Sequence, residues 1–474
     1  MIALRPYQQD LADAIRAKYA ARHVAVLAVS PTGSGKTVLF SYIAHNAAAR
    51  GKRVLILAHR RELISQASRK LYDAGVEHGI ISPGHTPTRD LVQVASVQTL
   101  GRRLGDPRYQ APDLIVIDES HHAVAGQWAT VVGAYPDARI LGVTASPERL
   151  DGRGLGREAG GPFDAMVMGP SIAQLIAGGF LVPSRVFAPA DGGPDLSGVR
   201  TKGGDFDGAS LAAAMDKPGL TGDAAEHYAR LTPGLPAVAF CTNVAHAEHT
   251  AEQFRAAGWR AVAASGKTPT AERDAVIAGL ATGAVQVLCA ADLVSEGLDI
   301  PAISVVIMLR PTQSLGLYIQ QIGRGQRPAD GKTHLTVLDH AGNVLRHGMP
   351  EADREWTLEG RKKRQKPAEA AVRQCPSCYA VHNIGPKCPE CGHSYAAAAA
   401  EPKKIEVRDG DLQEVDQARL DHLKKAKLHD LLKDARSEAE LREIAKARGY
   451  RANWVAHVLA GKKQAFERNR GWSA

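Results

Sequence analysis

The chain has 474 residues, 44% hydrophobic and 23% charged, an ordinary globular composition that at roughly 100–200 residues per domain predicts about three domains rather than one core. No run of about 18 apolar residues occurs, and the opening MIALRPYQQD lacks a secretion signal's basic and apolar regions, so the sequence reads as cytosolic with no membrane partner. The net charge is +9, of which +7 lies from Arg346 onward (26 Lys/Arg against 19 Asp/Glu), a balance that suggests nucleic acid.

Leu4-Arg5-Pro6-Tyr7-Gln8 precedes a helical stretch, and His23–Val29 is a Val-rich run of strand length. Ser30–Thr37, SPTGSGKT, comes next, followed by an Ala-rich helical pattern over 38–50 that Gly51 stops. Strand, glycine loop, Lys-Thr and helix form the phosphate-binding P-loop arrangement, with Ser30 where the strict pattern has its first glycine. In the loop Pro31, Thr32, Gly33, Ser34 and Gly35, the two glycines have no Cβ, so the backbone can curl and aim successive N–H groups at an anion beside a helix N-terminus. Lys36 would reach the β/γ-phosphates, and Thr37 would give a hydroxyl to Mg²⁺.

Strand-like runs then alternate with helices at 53–58, 91–95, 113–117 and 139–143, which predicts a doubly wound parallel sheet. The run 114–117 ends in Asp118 and Glu119. Asp118 is placed to hold Mg²⁺ and Glu119 to polarise the attacking water. Residues 150–161 read as a loop and 181–188 as a crossing segment. A second alternating series has strands at 237–241, 260–264, 285–290, 304–309 and 334–338, without a phosphate loop of its own. Two such sheets imply a nucleotide held between them.

Cys375, Cys378, Cys388 and Cys391 form CxxC-x9-CxxC, the ligand pattern of a closed, structural Zn²⁺ site, with His382 and His393 as bystanders. Cys241 and Cys289 fall in apolar runs and read as buried small hydrophobes. A basic run at 361–366 precedes the ribbon. An alanine linker at 396–400 follows it, and the last part is helical, with a Ser437/Glu440 capping box and Gly449 as a stop.

The ordered set SPTGSGKT, AHRREL, DESHH, TASP, SEGLDIP and QQIGRGQRP resembles a superfamily 2 helicase of the DEAD/DEAH type. More narrowly it is similar to bacterial radiation-resistance DNA repair helicases and their phage-encoded relatives. The resemblance implies two tandem RecA-like lobes, at 1–180 and 181–345. It also covers the zinc ribbon (373–395), while composition makes 346–372 a basic linker and 401–474 a basic helical tail. The resemblance implies that Arg5 and Gln8 read adenine, and that Arg60, Gln98 and Thr99 grip a nucleic-acid backbone. Thr144 and Ser146 would couple hydrolysis to movement. Asp292, Gly297 and Asp299 would face both ATP and nucleic acid, and His121 and Gln320 would link the lobes. Arg324 and Arg327 would reach across the cleft to the γ-phosphate.

The family's usual Thr before Asp292 is Ala291 here. Glu296 stands where many DEAD-box proteins have Arg, which argues against the RNA chaperone type. The implied activity is ATP-driven translocation on, or unwinding of, single-stranded, forked or duplex DNA, with ATP, Mg²⁺ and Zn²⁺ as ligands and repair or replication proteins as partners. An RNA helicase, a translocase that does not unwind and a zinc-ribbon binding protein with a vestigial ATPase are the alternatives.

Overall fold

Short strands buried on both faces account for the two sheets of the chain, seen in a computed structural model. The structure describes residues 2–59, 61–124, 126–149, 151–189, 194–216, 218–291, 300–360 and 372–395. In the tail it describes 422–423, 426, 428–435, 437–448, 450 and 454–460. Arg60, Asp292, Gly297, Asp299, the basic run 361–366, the linker 396–400 and Gly449 lie outside the described residues. The chain divides into two compact units, Met1–Ala397 and Ala398–Ala474.

The first sheet has seven strands: β1 (Ala25–Val29), β2 (Val54–Ala58), β3 (His78–Ile81), β4 (Val92–Ser96), β5 (Leu114–Asp118), β6 (Arg139–Thr144) and β7 (Ala165–Met168). Their order is β3-β4-β2-β5-β6-β1-β7 and every pairing is parallel. Successive side chains point to opposite faces. Val26 and Ala28 thus join Leu11, Phe40 and Leu71 on one side, while Leu27 and Val29 join Trp128 and Phe163 on the other. Parallel strands bring Val29, Ser96, Asp118 and Thr144 to the same carboxyl edge, where ligands bind in open α/β sheets.

The second sheet contains β8 (Ser184–Phe187), β11 (Ala237–Cys241), β12 (Ala261–Ser265), β13 (Val287–Ala291), β14 (Val305–Met308), β15 (Leu335–Asp339), β16 (Val372–Gln374) and β17 (Ala380–Asn383). A hairpin of β9 (Thr201–Lys202) and β10 (Asp205–Phe206) stands apart from it. The order is β12-β13-β11-β14-β15-β8-β17-β16, parallel through β8 and antiparallel at β17 and β16. Both sheets are thus RecA-like lobes of the α/β class. Cys241 and Cys289 are fully buried in it.

Two expectations need correction. Residues 181–188 are no crossing segment, because β8 is a strand of the second sheet, paired with β15 on one side and β17 on the other. The stretch read as a linker, 346–372, does not stand free over its described part. Gly154 N and Gly156 N donate to the carbonyls of Glu359 (3.0 Å) and Leu358 (2.8 Å). Trp356 packs against cores of both sheets. The chain leaving the second lobe therefore straps back onto the first. A Cβ on Gly154 would lie 1.9 Å from the Leu358 carbonyl, so only glycine admits the strap.

In the second unit Leu423, Leu431, Leu441, Ile444, Ala445 and Val455 form a small helical core. Ser437 caps the helix Glu438–Arg448: Glu440 N donates to Ser437 Oγ at 3.2 Å and Ser437 N to Glu440 Oε2 at 3.1 Å.

Candidate active site between the two sheets

The P-loop leaves β1 and enters the helix Lys36–Ala48 through Gly33 (φ +85°) and Gly35 (φ +80°), a region costly to L side chains. Ser30, the departure from the strict pattern, is accommodated: its Oγ donates to Ser34 Oγ at 2.7 Å and braces the loop. Gly169 leaves room beside it, since a Cβ there would come within 2.9 Å of Ser30 Oγ.

Gln8 locks the loop to the first helix. Its Nε2 donates to the carbonyls of Ser34 (3.0 Å) and Gly35 (3.3 Å), and its Oε1 accepts from Arg5 N at 3.0 Å. Tyr7 OH also donates to the Ser34 carbonyl, at 2.9 Å. Phe180, which sequence reasoning passed over, completes this corner: the Arg5 guanidinium lies 4.7 Å from its ring centre, and Tyr7 meets it edge-on at 5.0 Å. Its partners lie more than one hundred and fifty residues away, so no local pattern marks it.

Lys36 Nζ donates to the carbonyls of Ser30 (3.3 Å) and Pro31 (3.4 Å). Burial lowers the pKa of its ammonium; Glu119 and Asp118 favour the charge, and Arg324 and Arg327 from the second lobe oppose it. Three cations and two carboxylates from both sheets thus share one buried space. At the end of β5, Asp118 Oδ1 accepts from Glu119 N at 3.0 Å. Burial first, and the Glu119 carboxylate second, push the Asp118 carboxyl up to about 7, against the pull of Lys36. Glu119 sits in the left-handed region (φ +49°), which turns its side chain out of strand alternation.

His121 and Gln320 converge on the same atom. His121 Nδ1 lies 3.6 Å from Glu119 Oε2, and Gln320 Nε2, on the helix Leu315–Gly325, donates to it at 3.4 Å. Two glycines let that helix approach. A Cβ on Gly323 would meet Thr32 Cβ at 2.6 Å, and one on Gly316 would meet Ser146 Oγ at 2.6 Å. Thr144 Oγ1 donates to the Ser146 carbonyl at 2.8 Å. Arg324 is buried, and burial lowers the pKa of Arg327. A Cβ on Gly33 would lie 3.5 Å from Arg327 Cγ, which sets that arginine beside the P-loop.

Lys332 is a second residue without a sequence signal. Its ammonium donates to the carbonyls of Arg327 (2.8 Å), Gly325 (2.5 Å), Pro301 (3.4 Å) and Ile303, tying the arginine turn to the loop before β14. Burial, with Arg327 next, pushes it down to about 8.

Gln98 and Thr99 stand at the carboxyl end of β4, away from the P-loop contacts. Ser96 Oγ donates to Gln98 Oε1 (2.9 Å) and accepts from Thr99 N (3.3 Å). Arg273 is buried.

The four cysteine sulfurs lie within 4.8 Å of one another, with Cys375–Cys391 at 3.6 Å and Cys378–Cys388 at 3.7 Å. A tetrahedron with Zn–S of about 2.3 Å has edges of about 3.8 Å, so this set fits Zn²⁺. His382 turns away: its Nδ1 pairs with the Asn383 carbonyl (2.7 Å) and its Nε2 with Tyr395 OH (2.6 Å).

Residues 1–149 match the family "Type III restriction enzyme, res subunit", and 224–329 match "Helicase conserved C-terminal domain". A Lactococcus phage (isolate 7-9) protein named "51.5 kDa protein" is 33% identical over 409 residues, 85% of this chain and 86% of that one. "Putative ATP-dependent helicase IRC3" of Saccharomyces cerevisiae is 30% identical over 361 residues, 72% of this chain and 51% of that one, so the chain spans about half the yeast protein. Among solved structures, a fragment of "a putative HsdR subunit of a type I restriction enzyme from Vibrio vulnificus YJ016" superposes with TM-score 0.57 at 21% identity, covering 75% of this chain and 67% of that one. That likeness is one of fold. No described helix is long and apolar enough to cross a membrane.

Proposed function

The chain belongs to the superfamily 2 helicases, which hydrolyse ATP, and from that premise we propose that it is a DNA motor. Its ATPase is completed when the second lobe closes on the first. The observation that carries this reading is the approach of Gln320 to Glu119 across the cleft at 3.4 Å. The P-loop N–H groups and Lys36 bind the phosphates, and Arg5, Gln8 and Phe180 receive the base. Glu119 orients the attacking water, with His121 and Gln320 fixing its carboxylate. Arg324 and Arg327 meet the charge that grows on the γ-phosphoryl oxygens. Asp118 and Thr37 would hold Mg²⁺, which supplies charge neutralisation at the phosphates when bound. Hydrolysis then loosens the contacts at Thr32–Gly323 and Ser146–Gly316, and each cycle changes the grip on one strand.

The choice of DNA rests on the sequence, where Glu296 departs from the RNA-chaperone type and the basic surplus follows Arg346. One zinc, held by Cys375, Cys378, Cys388 and Cys391, would keep the ribbon folded on the edge of the second sheet. The roles of Arg60, Gln98 and Thr99 at the backbone belong to the same proposal. The test is ATP-driven separation of forked DNA by the full chain, with a matched forked RNA and a triplex-displacement substrate alongside. Separation of the DNA fork supports the reading. Triplex displacement alone makes it a translocase, and activity on RNA alone overturns the choice of DNA.

A further inference from the structure

The zinc segment is built twice from one plan. In the first knuckle Cys375 N donates to the Ala380 carbonyl (2.9 Å) and Tyr379 N to the Cys375 carbonyl (2.9 Å). In the second, Cys388 N donates to the His393 carbonyl (2.8 Å) and Gly392 N to the Cys388 carbonyl (3.0 Å). The sequence offsets are the same, so Cys375-Pro-Ser-Cys378-Tyr379 and Cys388-Pro-Glu-Cys391-Gly392 are equivalent turns. Their last position is left-handed in both, φ +62° at Tyr379 and φ +73° at Gly392. Glycine takes that conformation freely, whereas an L side chain crowds its own backbone there.

Tyr379 is therefore an unfavourable residue for the turn, and it is left largely in solvent, 58% exposed. Among the described non-glycine residues, only Arg22 and Glu119 share a positive φ with it. Glu119 lies in the candidate active site. Strain held at a largely exposed aromatic residue points to a contact made with something outside the chain. Charge indicates what that is: the ribbon carries Arg373 and Lys387, while its one acidic residue, Glu390, is paired with Arg185.

Building on the reading of the chain as a nucleic-acid motor, we propose that Tyr379 is a stacking platform for an unpaired nucleobase. The ring offers a π-face that any base can cover, while Lys387 and Arg373 hold the backbone. Such a contact needs no particular sequence and suits a protein that moves along one strand. It also explains the asymmetry of the knuckles: one keeps glycine for the turn alone, and the other accepts strain to present an aromatic face.

The test compares full-length wild type, Tyr379→Gly and Tyr379→Phe by zinc content, thermal stability and binding of oligo-dT and oligo-U carrying 2-aminopurine. Tyr379→Gly installs the residue of the sister turn, so it should keep its zinc and melt no lower than wild type. Its affinity for both oligonucleotides should fall about fivefold or more, with loss of 2-aminopurine quenching. Tyr379→Phe should bind and quench like wild type. Unchanged affinity and quenching in Tyr379→Gly overturn the platform, as does a Phe variant as weak as the Gly variant. Wild type that binds neither oligonucleotide overturns the motor reading itself, which is a different result from a variant matching a binding-competent wild type.

Discussion

Gln320 Nε2 donates to Glu119 Oε2 at 3.4 Å; the amide comes from the helix Leu315–Gly325 of the second lobe and the carboxylate from the turn after β5 of the first. The carboxylate assigned to the attacking water is therefore positioned only while the lobes are together. Glu119→Gln should bind ATP like wild type and lose at least about two orders of magnitude in turnover. Gln320→Ala keeps the carboxylate but frees it to swing, so kcat should fall about tenfold with ATP affinity held. Steady-state phosphate release and nucleotide titration measure both. A Gln320→Ala enzyme with wild-type kcat would mean that the contact is only packing.

The arginine turn should behave as a transition-state device. Arg324→Ala and Arg327→Ala should lower kcat more than ATP affinity, and Arg327→Lys should not restore the rate, because an ammonium lacks the planar fork. Lys332→Met removes the ammonium that gathers the carbonyls of Gly325 and Arg327. It should reproduce the Arg327→Ala pattern in milder form. A change in ATP affinity alone would place Lys332 outside this role.

Asp118 gives a pH signature. Its carboxyl is raised from 3.8 to about 7, so between those values the folded protein binds the proton that the unfolded chain has released. Metal-free stability should therefore fall as pH rises through that window, and Asp118→Asn should melt higher than wild type at about pH 8. Metal binding needs the carboxylate, so Mg²⁺ affinity should weaken from about pH 8 to about pH 6. Mg²⁺ titrations of the ATP complex and metal-free melting curves at both values check this. Flat profiles would show that Asp118 is already ionised.

The ribbon should carry one zinc per chain, and Cys388→Ser should lose it. Because β17 pairs with β8, unfolding the ribbon bares an edge of the second sheet. The variant should still bind ATP but self-associate, and its DNA affinity should fall with a shallower salt dependence than wild type. Elemental analysis, light scattering and binding at two salt concentrations test this. Wild type without zinc would remove the site.

Much of this was legible locally. The strands around SPTGSGKT and DESHH are continuous apolar runs, as strands buried on both faces must be, and the four clustered cysteines carry their spacing in the sequence. What escaped was set by distant partners. Residues 184–187 form a strand because β15 and β17, far along the chain, accept it. The two-residue strands of the β9–β10 hairpin have no periodicity. The hairpin is pinned by Asp205, which accepts from Thr312 Oγ1 (2.9 Å) and Gln313 N (2.7 Å). Phe180, Lys332 and the Trp356 strap follow the same rule, since each acts through residues its neighbours in sequence do not announce.

The central claim is that nucleic acid drives ATP hydrolysis in the inter-lobe cleft. Phosphate release by the wild type, measured side by side with no nucleic acid, single-stranded DNA, duplex, forked DNA and RNA, tests it most directly, with Lys36→Ala as the blank. The account predicts slow hydrolysis alone, marked stimulation by DNA with an unpaired strand, and none in Lys36→Ala. Equal rates with and without every nucleic acid would contradict it.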